Sequence, residues 1–148
     1  DDLAEIYEVF SVLEVKAAKL LARRGLAPEQ AKRLDALLSR MERATQDGDI
    51  MRWSQLDDSF HSGLVALCGN SRLQATLRIY WDQQYRARMA IVPLRPPPHQ
   101  SDAEHRAILD AIVTRDEARA GELYAMHRER TDRLALDMLL RQAETRGG

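Results

Sequence analysis

The sequence has little of what builds disulfides or sheets. Its 148 residues include one cysteine, Cys68, and aromatic residues make up only 5% of the chain. A single cysteine excludes an internal disulfide, so cysteine usage does not separate a reducing compartment from an oxidising one. Clusters of β-branched residues are scarce as well, whereas Ala, Leu, Arg and Glu dominate. This composition favours helices along the whole chain.

An excess of charge of one sign and a long apolar run are also missing. The formal net charge is −1, which gives no overall attraction to nucleic acid or to an anionic membrane. No apolar run reaches the roughly 18 residues of a membrane-spanning helix, and the acidic residues 1–5 are unlike a signal peptide. We therefore expect a soluble, cytoplasmic protein without a membrane partner.

The length of the chain fits a single domain over residues 1–148, of which 45% are hydrophobic. A domain of this size buries a substantial core. The sequence has no initiator methionine and begins inside a helical pattern. We therefore expect it to be part of a longer chain.

The few glycines and prolines divide the chain into six predicted helices. Gly25 is suited to end the first helix, and the prolines at 96–98 force an extended connection before the fifth. Ser101 and Glu104 match a capping box at the start of the fifth helix. The predicted helices cover about residues 3–24, 28–47, 50–67, 72–91, 102–114 and 116–144, followed by a frayed tail. The predicted fold is all-α, a single antiparallel bundle of about six helices.

Asp57 and His61 lie within the apolar stripe of the third predicted helix. They are four residues apart, so on an α-helix they share one face. The other members of this stripe, at spacings of three and four, are Ile50, Trp53, Leu64 and Cys68. A buried carboxylate and a buried imidazole are costly unless something pairs with them. The two side chains therefore indicate either a local hydrogen bond or half of a metal site.

Two more histidines lie on the apolar stripes of other helices. His105 shares a stripe with Ile108, and His127 lies on the apolar stripe of the last helix. Together with Asp57 and His61 they supply three imidazoles and one carboxylate, directed from three helices toward a central cavity. These donors suit zinc, nickel, iron, manganese or cobalt. Four protein ligands leave an octahedral ion two positions for water or for a ligand's carboxylate. The alternative is that these histidines are core residues with hydrogen-bond partners and bind no metal.

Asp58 and His99 do not belong to the predicted ligand set. Asp58 shares a face with Ser54 and Ser62, so we expect it to point to solvent. His99 follows the proline run and is expected in a loop. Neither side chain is therefore expected to contribute a ligand.

Three blocks of residues follow one another in an order and spacing typical of one protein family. They are Glu5-Ile6-Tyr7-Glu8-Val9 with Leu13-Glu14 and Ala17-Ala18, then Asp57-x-x-Phe60-His61-x-x-Leu64 with Gly69-Asn70-x-x-Leu73, and finally Glu104-His105-x-x-Ile108-x-x-Ala111-Ile112 with Asp116-x-x-x-Ala120 and His127. Over essentially its whole length the chain resembles the ligand-binding C-terminal (FCD) domain of FadR-type transcriptional regulators in the GntR family.

The resemblance implies a helical domain that senses a small metabolite and controls transcription. Such a domain normally follows an N-terminal winged-helix DNA-binding domain, which is absent from this chain, and it is expected to form a homodimer without enzymatic activity. In the metal-dependent branch, one aspartate and three histidines hold a divalent ion, often zinc or nickel. The matching positions here are Asp57, His61, His105 and His127. Effectors in this branch are commonly organic acids whose carboxylate binds at the ion's free positions.

One position departs from the family pattern. The family's first helix often carries an arginine three residues before the Leu-Glu pair, placed to meet the effector, but here that position is Phe10. Arg86 and Arg88, on the fourth helix, are the candidate effector-binding residues in its place, although both also suit an exposed cationic face.

Two readings of a different class stay open. A mononuclear metalloenzyme is the first, since a site of three histidines and one carboxylate can activate water. Against the metalloenzyme, no general base is expected beside the ligands, because Glu104 is assigned to a helix cap. A plain dimerisation bundle with structural histidines is the second.

Overall fold

The structure, a computed structural model, describes residues 2–148. Over this range the chain forms six α-helices and no strand, which confirms the all-α prediction. A short 3-10 turn, Val92–Leu94, follows the fourth helix. The helices are α1 (Asp2–Arg24), α2 (Pro28–Gln46), α3 (Ile50–Leu67), α4 (Ser71–Ile91), α5 (His99–Val113) and α6 (Glu117–Gly147).

Short polar side chains begin three of the helices. Asp49, Asn70 and Asp116 each accept a hydrogen bond from the backbone N–H three residues further on, at 3.0 to 3.1 Å. Each of these bonds satisfies one of the N–H groups that a helix start leaves without a partner. Gly25 ends α1 with a φ of +84°, a left-handed conformation that favours glycine.

The start of the fifth helix differs from the prediction. The helix begins at His99, directly after Pro98, so the predicted capping box at Ser101 and Glu104 is wrong, as is the predicted loop position of His99. Ser101 is buried inside the first turns and accepts hydrogen bonds from two arginine side chains rather than capping the helix. The last helix also continues to Gly147, where the sequence predicted a frayed tail.

The buried apolar residues form three clusters between the helices. α1 packs along α6, α2 packs against α3 and α5, and α5 packs against α6. The main core contains large side chains from four helices: Leu38, Trp53, Phe60, Leu64, Ile108, Ile112 and Tyr124. Each such side chain contributes roughly 1.5–3 kcal/mol when it is buried. This packing fixes α3, α5 and α6 around the polar groups described below.

Two features of the fold bear on the sequence analysis. Phe10 is fully buried, and its ring packs 5.4 Å from that of Trp81, so it belongs to the core between α1 and α4. Among residues 2–148, no helix combines the length and the apolar character that crossing a membrane requires.

Candidate metal centre and its surroundings

Three buried histidines meet between α3, α5 and α6. His61, His105 and His127 each offer one ring nitrogen, and these nitrogens lie within 4.8 Å of one another. The ring centroids are 4.7 Å apart for His105 and His127, 5.1 Å for His61 and His105, and 5.5 Å for His61 and His127. We call these residues and Asp57 the histidine cluster.

Asp57 lies between two of these histidines. Its Oδ1 is 3.0 Å from His61 Nε2 and 3.2 Å from His105 Nε2, and its Oδ2 accepts a hydrogen bond from Arg88 Nη1 at 2.9 Å. Burial would raise the pKa of Asp57, but the neighbouring His61, His105 and Arg88 hold it well below its usual range. Asp57 is therefore a buried carboxylate anion surrounded by nitrogen.

His105 is the unusual member of the histidine cluster. Its side chain is fully buried, and neither ring nitrogen has a hydrogen-bond partner among the described residues. Its Nε2 lies 3.2 Å from Asp57 Oδ1, but the angles are outside hydrogen-bonding geometry. Burial lowers the pKa of His105, although Asp57 acts to raise it. Buried polar atoms normally have a hydrogen-bond partner, so a neutral imidazole with neither nitrogen in a hydrogen bond fits a ligand to an ion.

His127 is oriented from behind by a carboxylate. Its Nδ1 lies 2.6 Å from Glu104 Oε1, and burial lowers the pKa of His127 to about 3. The ring is therefore neutral and its Nδ1–H donates to Glu104, which leaves Nε2 as the nitrogen with a lone pair. A carboxylate behind a histidine in this way is a common arrangement around metal-binding histidines.

Glu104 was predicted to cap a helix, and its actual contacts explain why that prediction is wrong. Arg130 Nη2 donates to Glu104 Oε1 at 2.7 Å. The two partners of Glu104, His127 and Arg130, lie on α6 rather than at the start of α5. Burial would raise the pKa of Glu104, but the hydrogen bonds from His127 and Arg130 lower it to about 2. Glu104 is therefore a paired anion, and no local pattern in the sequence joins it to residues more than 20 positions away.

His61 is held from behind by a second chain of polar groups. Its Nδ1 lies 2.5 Å from the Tyr124 hydroxyl, which donates to Glu14 Oε2, also at 2.5 Å. Arg128 Nη2 lies 3.7 Å from Glu14 Oε1 and 2.9 Å from Asp132 Oδ1. We call Glu14, Tyr124, Arg128 and Asp132 the backing network.

Charge within the backing network is balanced by close partners. Burial would raise the pKa of Glu14, but Arg128 and the hydrogen bonds from His61 and Tyr124 lower it to about 2. Burial would lower the pKa of His61, but Asp57 and Glu14 raise it. Metal binding at His61 Nε2 would therefore release a proton. In the sequence, Glu14 stands out only as part of a family motif, and no local pattern marks Tyr124 or Arg128.

A small cavity of about 20 Å³ adjoins the histidine cluster. We call it the central cavity; it is lined by Tyr7, Trp53, Asp57, His61, Gln84, Arg88, Ile91, Arg95, His127, Arg128, Thr131, Asp132, Leu134, Ala135 and Met138. This volume holds about one water molecule. Of the two predicted effector-binding arginines, Arg88 lines the cavity, whereas Arg86 is exposed and does not.

Asp58 does not point to solvent, so that prediction is wrong. Its side chain is half-buried, and Oδ1 accepts a hydrogen bond from Trp81 Nε1 at 3.0 Å. Ser54, on the same face of α3, is fully buried. The face looked polar in the sequence, but α4 packs over part of it and supplies a donor.

A helical bundle with three buried histidines and a carboxylate between its helices is a candidate metal-binding domain. The model of the FCD domain family matches residues 5–130. The chain therefore belongs to the FCD domain family, which confirms the resemblance found in the sequence.

Similar proteins include named regulators of transcription. The chain is 27% identical over 134 residues to the uncharacterized HTH-type transcriptional regulator BphR of Paraburkholderia xenovorans (strain LB400), covering 87% of this chain and 55% of that protein. The solved structure of Streptococcus agalactiae GntR matches with a TM-score of 0.74 and 25% identity, over 88% of this chain and 57% of that one. This chain thus spans about half the length of these two relatives.

A further solved structure supports the fold. E. coli McbR/YncC matches with a TM-score of 0.83 and 17% identity, over 91% of this chain and 68% of that one. The agreement over nine-tenths of the chain shows that the six-helix arrangement is a recurring one.

Proposed function

We propose that this chain is the metabolite-sensing domain of a bacterial transcription regulator and holds one divalent ion, zinc or nickel. Asp57, His61, His105 and His127 would be its ligands. When bound, the ion supplies a Lewis-acidic centre with positions left for a carboxylate. The observation that carries the proposal is His105, a neutral imidazole buried beside Asp57, neither of whose nitrogens forms a hydrogen bond among the described residues.

The effector in this proposal is a small organic acid. Arg88 pairs with Asp57 at 2.9 Å and also lines the central cavity, so its guanidinium is placed to meet a carboxylate there. Arg86 is exposed, and we leave it out of the effector site. A cavity of about 20 Å³ is smaller than any organic acid. An effector bound within the central cavity alone would therefore have to move helices or side chains.

The named relatives support a regulatory role. The named relatives are transcription regulators about twice as long as the match, so we propose an N-terminal winged-helix domain upstream that binds DNA. Effector binding would favour one arrangement of the helices and so change the placement of two DNA-binding domains in a homodimer. In this proposal the protein acts in the cytoplasm, where the DNA is, and it is not an enzyme.

Metal content tests the site directly. The chain, purified without chelator and without a nickel column, should contain about one ion per chain by inductively coupled plasma mass spectrometry. The double variant His105→Ala/His127→Ala should lose the ion. His99→Ala is the matched control, because His99 is exposed at the start of α5. Full metal content in the double variant would sink the assignment.

The regulatory part needs the full-length protein. Its reading frame should encode a winged-helix segment before Asp1, and its affinity for operator DNA should change when an effector binds. A thermal-shift screen of small carboxylates should raise the melting temperature of the metal-loaded form only. Chemical turnover of a stabilising ligand would instead favour the metalloenzyme.

A further inference from the structure

A second cavity lies beside the histidine cluster, on the other side of Trp53. Its volume is about 140 Å³, far larger than that of the central cavity. We call it the side cavity; it is lined by Ala44, Thr45, Gly48, Ile50, Trp53, Arg95, Pro97 and Pro98. An apolar cavity of roughly this size accepts a benzene molecule.

The side cavity is lined by one cationic side chain, that of Arg95, and otherwise by mostly apolar residues. The Thr45 hydroxyl already donates to Asp102 Oδ2 at 2.6 Å, and the Trp53 indole N–H donates to Asp102 Oδ1 at 2.8 Å. Asp102 itself does not line the cavity. The donors of Thr45 and Trp53 are therefore already used, and the guanidinium of Arg95 is the polar side-chain group on the wall that can bind a ligand.

Arg95 is a partly buried arginine that forms no ion pair among the described residues. Its guanidinium carbon lies 4.5 Å from the centroid of the Trp53 ring, and Nη2 donates to Ser101 Oγ at 3.2 Å. Within residues 2–148, no carboxylate oxygen lies within ion-pair distance of it. Burial lowers the pKa of Arg95, although the more distant charges of Asp57 and Asp102 act to raise it. A guanidinium with donors that no group of the chain accepts is suited to bind a carboxylate in a bidentate manner.

Arg95 and Trp53 also connect the two cavities. Both line the central cavity as well as the side cavity, and the Trp53 ring stacks against that of His105 with 6.0 Å between centroids. A carboxylate held by Arg95 therefore lies at the boundary between the side cavity and the histidine cluster. An apolar ring attached to that carboxylate would then lie in the side cavity.

We propose that the side cavity and Arg95 form the specificity site for an effector with a single apolar ring and one carboxylate, of the benzoate type. This inference rests on the proposed function and names its effector class. Arg95, which follows the 3-10 turn after α4, then supplies the guanidinium that the family resemblance places on α1, where this chain has Phe10.

Benzoate is the probe. Isothermal titration calorimetry of the metal-loaded chain should show binding of benzoate, and weaker binding of both acetate, which lacks the ring, and phenol, which lacks the carboxylate. The Trp53 indole N–H signal should shift in ¹⁵N–¹H spectra, with Trp81→Phe used to identify it. Acetate binding as tightly as benzoate, or no benzoate binding at all, would overturn the proposal.

Two variants with matched controls locate the site. Arg95→Met should weaken benzoate binding by about tenfold or more, because a charge-assisted pair is lost. Arg86→Met, on an exposed arginine, should leave the affinity unchanged. Ile50→Phe fills the side cavity and should also weaken binding, whereas Met51→Phe, at an exposed position on the same helix, should not.

Two further measurements separate a failed proposal from a failed fold or a failed metal site. Arg95→Lys keeps the charge and should bind benzoate better than Arg95→Met does, and circular dichroism melting checks that each variant is folded. Metal content is measured on every sample. Full metal content without any benzoate binding rejects the side-cavity site alone, and Arg95-dependent benzoate binding without metal rejects the metal site alone.

Discussion

The two sides of His61 satisfy buried polar groups in different ways. On the side of the backing network, Nδ1 meets Tyr124, and Tyr124 donates to Glu14, whose charge Arg128 balances. On the other side, Nε2 faces Asp57, and the neighbouring His105 has no hydrogen-bond partner among the described residues.

This difference indicates which side is built for a ligand. Burying polar groups without partners costs free energy, and the backing network offsets that cost within the chain. The histidine cluster leaves its nitrogens and one carboxylate converging on a point, where a cation would offset the cost instead. Changes to the backing network should therefore act mainly on stability, and changes to the cluster mainly on metal binding.

The largest expected effect is on the backing network. Arg128→Met leaves the buried Glu14 and Asp132 without their cation, so the free energy of unfolding should fall by about 3–5 kcal/mol. Urea unfolding of the chelator-treated chain measures this loss. The control is Arg133→Met, since Arg133 forms only an exposed pair with Glu129 and should contribute less than about 1 kcal/mol. Equal losses in the two variants would mean that the network does not hold the fold.

Acid should weaken the same network. The pKa of Glu14 is about 2 in the folded chain and near 4.5 in the unfolded chain. Between these values the unfolded state binds more protons, so this contribution is present above pH 4.5 and is lost as the pH falls toward 2. Its upper limit is of the order of 3 kcal/mol.

Urea unfolding at a series of pH values tests this loss. The decline in stability between pH 4.5 and 2 should be steeper in the original chain than in Glu14→Gln, while Glu104 contributes in the same direction in both. Parallel pH profiles for the two chains would contradict the assignment to Glu14.

A smaller effect on stability should connect the two sides. Tyr124→Phe removes the hydroxyl between His61 and Glu14, which should cost about 1–3 kcal/mol of stability. Because His61 then loses the group that orients its ring, metal affinity should also fall by about 10- to 100-fold. Competition with a chelator of known affinity measures this change.

Tyr80→Phe is the matched control, because Tyr80 is exposed on α4. It should change neither the stability nor the metal affinity. Unchanged metal affinity in Tyr124→Phe would show that the backing network supports the fold without positioning His61.

Site residues were predictable from the sequence where their partners lie close along the chain, and not where the partners lie on another helix. Asp57 and His61 lie one helical turn apart, so their shared face was readable from spacing alone, and the burial of Trp53 and Leu64 on the same stripe confirms that reading. Glu104 was misread because a local capping pattern is visible in the sequence, whereas its pairing with Arg130 depends on how α5 packs against α6.

The sequence by itself determined six helices and their apolar stripes, because hydrophobic periodicity is a local property of the chain. The family followed from the resemblance of three residue blocks. Tertiary packing alone decided which polar groups share an environment. It buried Glu14 against Arg128, turned Asp58 toward Trp81, and placed Arg95 between two cavities. These contacts join residues 23 to more than 100 positions apart, and they depend on the relative placement of helices, which no single helix encodes.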